Sequence, residues 1–99
     1  MKEITNKKVI IRGDRSGVFY GIFAGKNGQE VTLKKCRRLW YWDGAASISQ
    51  LAVDGTTEAS NCKFTVEVDL IIILDAIEII PCTEKASESI EGVPVWKCQ

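Results

Sequence analysis

The chain has no histidine, one methionine and two prolines among its 99 residues. Without imidazole it lacks the commonest general base, the commonest metal ligand and the side chain that titrates near neutral pH. That excludes Ser-His-Asp chemistry, His-ligated zinc proteases and His-based pH switches. The four cysteines, Cys36, Cys62, Cys82 and Cys98, stand 26, 20 and 16 residues apart. Zinc ribbons and fingers need ligand pairs two to four residues apart, so that one turn presents both sulfurs, and no such pair exists here. The opening Met-Lys-Glu-Ile-Thr-Asn-Lys-Lys has no apolar core of the secretory kind, so the thiols are expected to stay reduced. The longest apolar run, Leu70-Ile71-Ile72-Ile73-Leu74, is five residues, against the ~20 of a membrane-spanning helix. No membrane partner, cofactor or metal is expected, and an enzyme is disfavoured.

What remains is ordinary globular material, 45% hydrophobic and 26% charged, which argues against disorder. The length allows one modest core, hence a single domain over residues 1–99. The 13 basic and 13 acidic residues cancel, but unevenly: residues 1–50 carry ten Lys/Arg against four Asp/Glu, and residues 51–99 three against nine. Either a basic surface faces an anion or partner, or the two halves interleave and neutralise each other. The overall balance makes duplex nucleic acid an unlikely partner.

Strand signals come first along the chain. Residues 8–12 and 18–24 read as strands, separated by Gly13-Asp14-Arg15-Ser16-Gly17, with Gly21 a bulge or close-approach point. Asn27-Gly28 suits a type I′ hairpin turn, leading into a strand from Gln29 to about Trp42. Ser47-Ile48-Ser49-Gln50 fits a capping box before a helix over 48–53 that ends at Gly55, and 56–61 reads as a loop. Alternation predicts a strand over 64–68, then two strand segments over 70–80 with a break near Asp75-Ala76. Thr83 caps a second helix over 84–90. The expected fold is α+β: a small antiparallel, curled (barrel-like) sheet of five to six strands with two short helices.

The richest stretch is Arg37-Arg38-Leu39-Trp40-Tyr41-Trp42. Adjacent strand residues point to opposite faces, so three consecutive large rings cannot share one core. Strict alternation from Val31 and Leu33 places Arg37, Leu39 and Tyr41 inward and Arg38, Trp40 and Trp42 outward; a bulge near Cys36 would reverse this. An arginine beside exposed rings suits a nucleobase next to a phosphate. It equally suits a protein interface or a second small core under the first helix. Arg37, Arg38, Trp40 and Trp42 are the first candidate contacts and Arg12 and Arg15 the second. Thr83 and Lys85, at a helix N-terminus that favours anions, come third, though a plain cap explains Thr83. Arg12-Gly13-Asp14 reads as a hairpin turn, and the amides of 14–17 are weak candidates for a phosphate nest. Asp69, Asp75 and Glu78 read as solvent-facing strand positions.

Arg37-Arg38-Leu39-Trp40-Tyr41-Trp42-Asp43-Gly44-Ala45-Ala46, followed by Ser49-Gln50-Leu51-Ala52, Gly55, Ala76-Ile77-Glu78-Ile79-Ile80-Pro81-Cys82-Thr83 and Val93-Pro94-Val95-Trp96, resembles the DUF6948 family of small phage and prophage proteins. The resemblance implies phage origin and a place in the cytoplasm of the infected bacterial host; it brings no functional residues with it. In that setting a non-enzymatic anti-defence role is expected, most simply a sponge that sequesters a cyclic or other nucleotide immune signal. The alternatives are an inhibitor that occludes a host defence enzyme and a single-stranded nucleic-acid binder. A chain this short lacks wall for a nucleotide pocket, so a homo-oligomer is expected.

Overall fold

The computed structural model describes residues 2–98. In chain order its elements are β1 (Lys8–Gly13), β2 (Val18–Asn27), β3 (Glu30–Tyr41), α1 (Ile48–Asp54), β4 (Lys63–Phe64), β5 (Val68–Ile73), β6 (Ala76–Pro81) and α2 (Glu84–Glu91). Single 3-10 turns lie at Lys2–Ile4 and Ala59–Asn61. The strands form one antiparallel sheet in the order β4-β3-β2-β1-β6, and β5 also pairs with β3. Six antiparallel strands and two helices match the expected class. Among the described residues no helix is long and apolar enough to cross a membrane.

The sheet is curled but, contrary to the barrel-like expectation, not closed. Among the described residues no ladder joins β5 to β6, although only Leu74 and Asp75 separate them. The backbone of that connection is engaged elsewhere: Asp14 N–H donates to the Asp75 carbonyl at 2.9 Å, and Ala76 N–H donates to the Gln29 carbonyl at 3.1 Å.

Two cores lie on the two faces of the sheet. Val9, Ile11, Phe19, Phe23, Val31, Leu33, Cys36, Ile73 and Ala76 fill the inside of the curl. Ile10, Tyr20, Leu39, Phe64 and Cys62 form the other core with Leu51 and Ala52 of α1 and Ile90 of α2. β1 and β2 are therefore buried on both faces, which is why 9–11 and 19–20 show continuous burial.

β3 serves both cores because it is bulged. Tyr20 pairs with Arg37 and Ile22 with Lys34, so Lys35 and Cys36 together oppose Gly21. Lys35 adopts φ 49°, the left-handed region. Gly21 makes this possible: a Cβ there would stand 3.0 Å from the Lys34 carbonyl oxygen and 3.2 Å from Cys36 Cα. The bulge reverses the faces, as one of the two sequence alternatives required. Val31, Leu33 and Cys36 face the curl, whereas Leu39 joins the helix-side core. A second irregularity leaves Trp40 unpaired between Leu39↔Phe64 and Tyr41↔Lys63. Trp42 consequently packs against the same core as Leu39, instead of sharing a face with Trp40.

Three local expectations need correction. Asn27 pairs with Glu30, so the hairpin loop is Gly28-Gln29; only Gly28 has positive φ, the sign pattern of a type II′ turn with glycine first. The strand expected over 64–68 is β4 and ends at Phe64. There the Arg37 guanidinium, rather than a strand, takes the Phe64 and Thr65 carbonyls. In the capping box Ser47 Oγ accepts from Gln50 N–H, but Gln50 Oε1 accepts from Ala46 N–H, one residue before the cap.

All four cysteines are free, and burial pushes the Cys36 and Cys82 thiols up to about 12, the Arg38 charge opposing it at Cys36. Gly21→Ala should destabilise the fold by about 1–3 kcal/mol, the usual penalty of overpacking, read as a lower urea midpoint at unchanged slope.

Candidate functional site

The β1–β2 loop is built around a carboxylate. Asp75, in the connection between β5 and β6, accepts Arg15 N–H at 2.7 Å and Ser16 N–H at 3.0 Å, and the Ser16 hydroxyl also donates to it. The loop is thus an anion nest, as its glycine-flanked sequence suggested, but the anion it holds is the protein's own. Those amides are not free for a phosphate, and Asp75 is not the solvent-facing strand residue that alternation implied. The Ser16 hydroxyl bond, ahead of the two amide bonds, holds the Asp75 carboxyl below its ordinary range.

So held, the loop presents Arg15 beside β3. The Arg38 guanidinium donates to the Ser16 carbonyl and lies 4.5 Å from the Phe19 ring centroid. Arg15, Ser16, Gly17, Val18, Arg38, Leu39, Trp40 and Trp42 line one cavity of about 280 Å³. An adjoining apolar cavity of about 450 Å³ shares Arg15, Ser16 and Arg38 and continues along Ile71, Ile72, Ile73 and Leu74. Neither arginine has a carboxylate at ion-pair distance among the described residues. Four expected residues therefore meet at one mouth, Arg15 from the β1–β2 loop and Arg38, Trp40 and Trp42 from the end of β3 and just beyond it.

Arg37 does not join them. It is 5% exposed, and its guanidinium donates to the carbonyls of Thr65 at 2.9 Å, Ile90 at 2.9 Å, Phe64 at 3.1 Å and Pro94 at 3.4 Å. Burial lowers its pKa, with the Glu67 charge acting the other way. Expected as a ligand contact, Arg37 is instead a clamp that ties β4, α2 and the C-terminal segment to β3, because the bulge turned it onto the helix-side face, where those segments cover it. Arg12 is 3.6 Å from Glu78. Thr83 accepts from Ala86 N–H as the α2 cap and donates its hydroxyl to the Val53 carbonyl. Lys85 stands 3.7 Å from Asp54. None of these three lines the arginine cavity, so the expected anion site at the α2 N-terminus is separate from it.

Sequence reasoning missed two groups. Tyr20, Lys8 and Glu91 meet across 71 residues: the Tyr20 hydroxyl donates to Glu91 and Lys8 Nζ lies 2.7 Å from the same carboxylate. Burial opposes the Glu91 charge, but Lys8 and Tyr20 outweigh it and hold the carboxyl low; burial, then Glu91, raise the Tyr20 pKa. They line a separate cavity of about 320 Å³ with Lys35, Arg37 and Glu67, in which Tyr20, Lys8 and Glu91 satisfy one another. The second group is Trp96, whose ring stacks on Trp40 at 6.1 Å between centroids and 22° between planes. A ring of this size needs a packing partner, but no spacing in the sequence points to Trp40. Among the described residues no cluster of three or more His, Cys, Asp or Glu is placed to hold a metal.

The model of DUF6948, a domain of unknown function, matches residues 6–90. The chain belongs to the DUF6948 family. Among solved structures, this DUF6948 chain is similar to a heptameric archaeal Sm protein described for its implications for the eukaryotic snRNP core. The two share 13% identity and a TM-score of 0.51, over 83% of this chain and 94% of that one. At that identity the likeness concerns the fold alone. No curated protein matches the chain.

The Asp75 clamp has a pH signature. A carboxyl with a depressed folded pKa stabilises above its unfolded pKa, near 4, and that contribution is lost as pH falls through the folded value. Protection of the Arg15 and Ser16 amides, taken against the intrinsic exchange rate at each pH, should therefore fall in acid below about pH 4. Asp75→Asn should show low protection already at neutral pH and lose the acid step.

Proposed function

We propose that this protein is a non-enzymatic binder of an anionic, nucleotide-like ligand: a phage-encoded sponge that sequesters a nucleotide immune signal in the cytoplasm of the bacterial host. One observation carries the reading. Arg15 and Arg38, without carboxylate partners, share a cavity with Trp40 and Trp42. Guanidinium groups bind phosphate through paired N–H donors, and an indole face stacks on any base. Sequestration needs no acid–base residue, which suits a chain without histidine.

The test is native mass spectrometry of the purified protein with a panel of cyclic and ADP-ribose-type nucleotides. A retained ligand at fixed stoichiometry is expected, lost in Arg15→Ala and Arg38→Ala. Arg15→Ala should leave the melting temperature unchanged, and Arg38→Ala should lower it only slightly, its cation–π contact with Phe19 being worth about 1 kcal/mol. A bare protein across the whole panel would sink the reading.

The cavity of about 280 Å³ is at the lower end of ligand pockets, ~300–1,000 Å³, so a second subunit supplies the missing wall. The means are present in β5. Val66, Val68, Leu70, Ile72 and Leu74, alternate residues on and beside it, are all exposed. Among the described residues neither β5 nor β6 has a second partner strand. Joining the β5 edge of one copy to the β6 edge of the next extends the sheet and covers that ladder; the archaeal Sm protein of similar fold is heptameric. Ile72→Glu should convert the assembly to monomers with unchanged far-UV circular dichroism, and a wild-type monomer at micromolar concentration would refute the assembly. The same apolar ladder favours a second reading, an inhibitor docking on a host defence enzyme. That reading stands if the wild type is both bare and monomeric.

A further inference from the structure

Two of the three tryptophans are left in solvent, Trp40 63% exposed and Trp96 45%. They come from opposite ends of the fold: Trp40 is the unpaired residue of β3, and Trp96 follows Val95, which bridges to Phe64 of β4. Trp96 N–H donates to the Phe64 carbonyl at 2.9 Å, so backbone bonding fixes the second ring independently of the stack. The Lys63 ammonium lies 5.5 Å from the Trp96 ring centroid and has no carboxylate at ion-pair distance among the described residues. Trp40 belongs to both groups: it lines the arginine cavity and stacks on Trp96. Trp40 thus joins the arginine site to a second aromatic group, Trp96, which has its own cation in Lys63.

We infer that the ligand carries two nucleobases joined through phosphate, and that Trp96 and Lys63, with Trp40, form the subsite for the second one; this rests on the nucleotide-binding reading above. A mononucleotide engages one base and one phosphate, for which Arg15, Arg38 and Trp42 already suffice. A further indole stacked on Trp40, and a third cation without a carboxylate at ion-pair distance among the described residues, match a second base and the phosphodiester between the two. Stacking surfaces flanked by cations are how proteins hold successive bases of a strand, and exposed aromatic patches mark contact surfaces. The ring faces do not discriminate among bases, so the selectivity of this subsite is for the number of bases rather than their identity.

The experiment compares adenosine 5′-monophosphate with the linear dinucleotide pApA, by tryptophan fluorescence titration on wild type, Trp96→Ala, Trp96→Phe and Lys63→Ala. Wild type should bind pApA about tenfold or more tighter than the mononucleotide, the scale of one stacked base. Trp96→Ala should bring pApA to the mononucleotide level without changing mononucleotide affinity, and Trp96→Phe should retain most of the gain. Lys63→Ala keeps both rings and the β4 backbone bonds. It should lower the slope of log affinity against log salt by ~0.7 for pApA alone, a readout that a purely structural role would not move. Equal affinities for the two ligands, with binding still abolished by Arg38→Ala, would overturn the second subsite and leave the nucleotide reading in place. So would an equal loss for both ligands in Trp96→Ala together with a lowered melting temperature. Binding of neither ligand by wild type would overturn the nucleotide reading and the subsite together.

Discussion

At Gly21 the backbones of β2 and β3 approach so closely that a side chain would crowd the Lys34 carbonyl and Cys36 Cα, and β3 carries an extra residue there, Lys35, in the left-handed region. That local exchange of a Cβ for a bulge organises the molecule. Before it, Val31 and Leu33 face the inside of the curl; after it, Arg37 and Leu39 face the helices, and Arg38 returns to Phe19 at the mouth of the curl. Two arginines adjacent in sequence thereby receive opposite environments. One becomes a buried clamp on four carbonyls. The other borders a cavity with a second arginine and two indoles.

The charge asymmetry between the halves resolves in the same way. Lys8 with Glu91 and Arg12 with Glu78 each join the basic half to the acidic half, so part of the +6 and −6 is neutralised by interleaving. Among the described residues Arg15, Arg38 and Lys63, beside the exposed rings, have no carboxylate at ion-pair distance, and neither do Lys7, Lys26, Lys34 and Lys35. Part of the remaining basic charge therefore stands around the rings and part elsewhere on the surface.

Asp75 couples the parts of this surface. It lies between the two strands with open edges, and it anchors the loop that carries Arg15 and the carbonyl that receives Arg38.

Much of the fold was determined by local sequence. β-branched runs, turn glycines, Ser47 and Thr83 specify most of the strands and both capped helices, because these signals act over a few positions; β2 runs three residues further than expected and β4 stops at Phe64. The family is likewise legible in the 37–46 stretch and the C-terminal motif. What only tertiary structure decided is where each side chain points. A single bulge inverts every residue after it, so Arg37 and Arg38 could not be sorted by counting. The open sheet, the Asp75 nest and the Trp40–Trp96 stack depend on contacts between residues tens of positions apart, for which a lone sequence carries no period and no spacing. Sequence specified which cations and rings are available; the packing of β2 against β3 selected which of them reach the surface together.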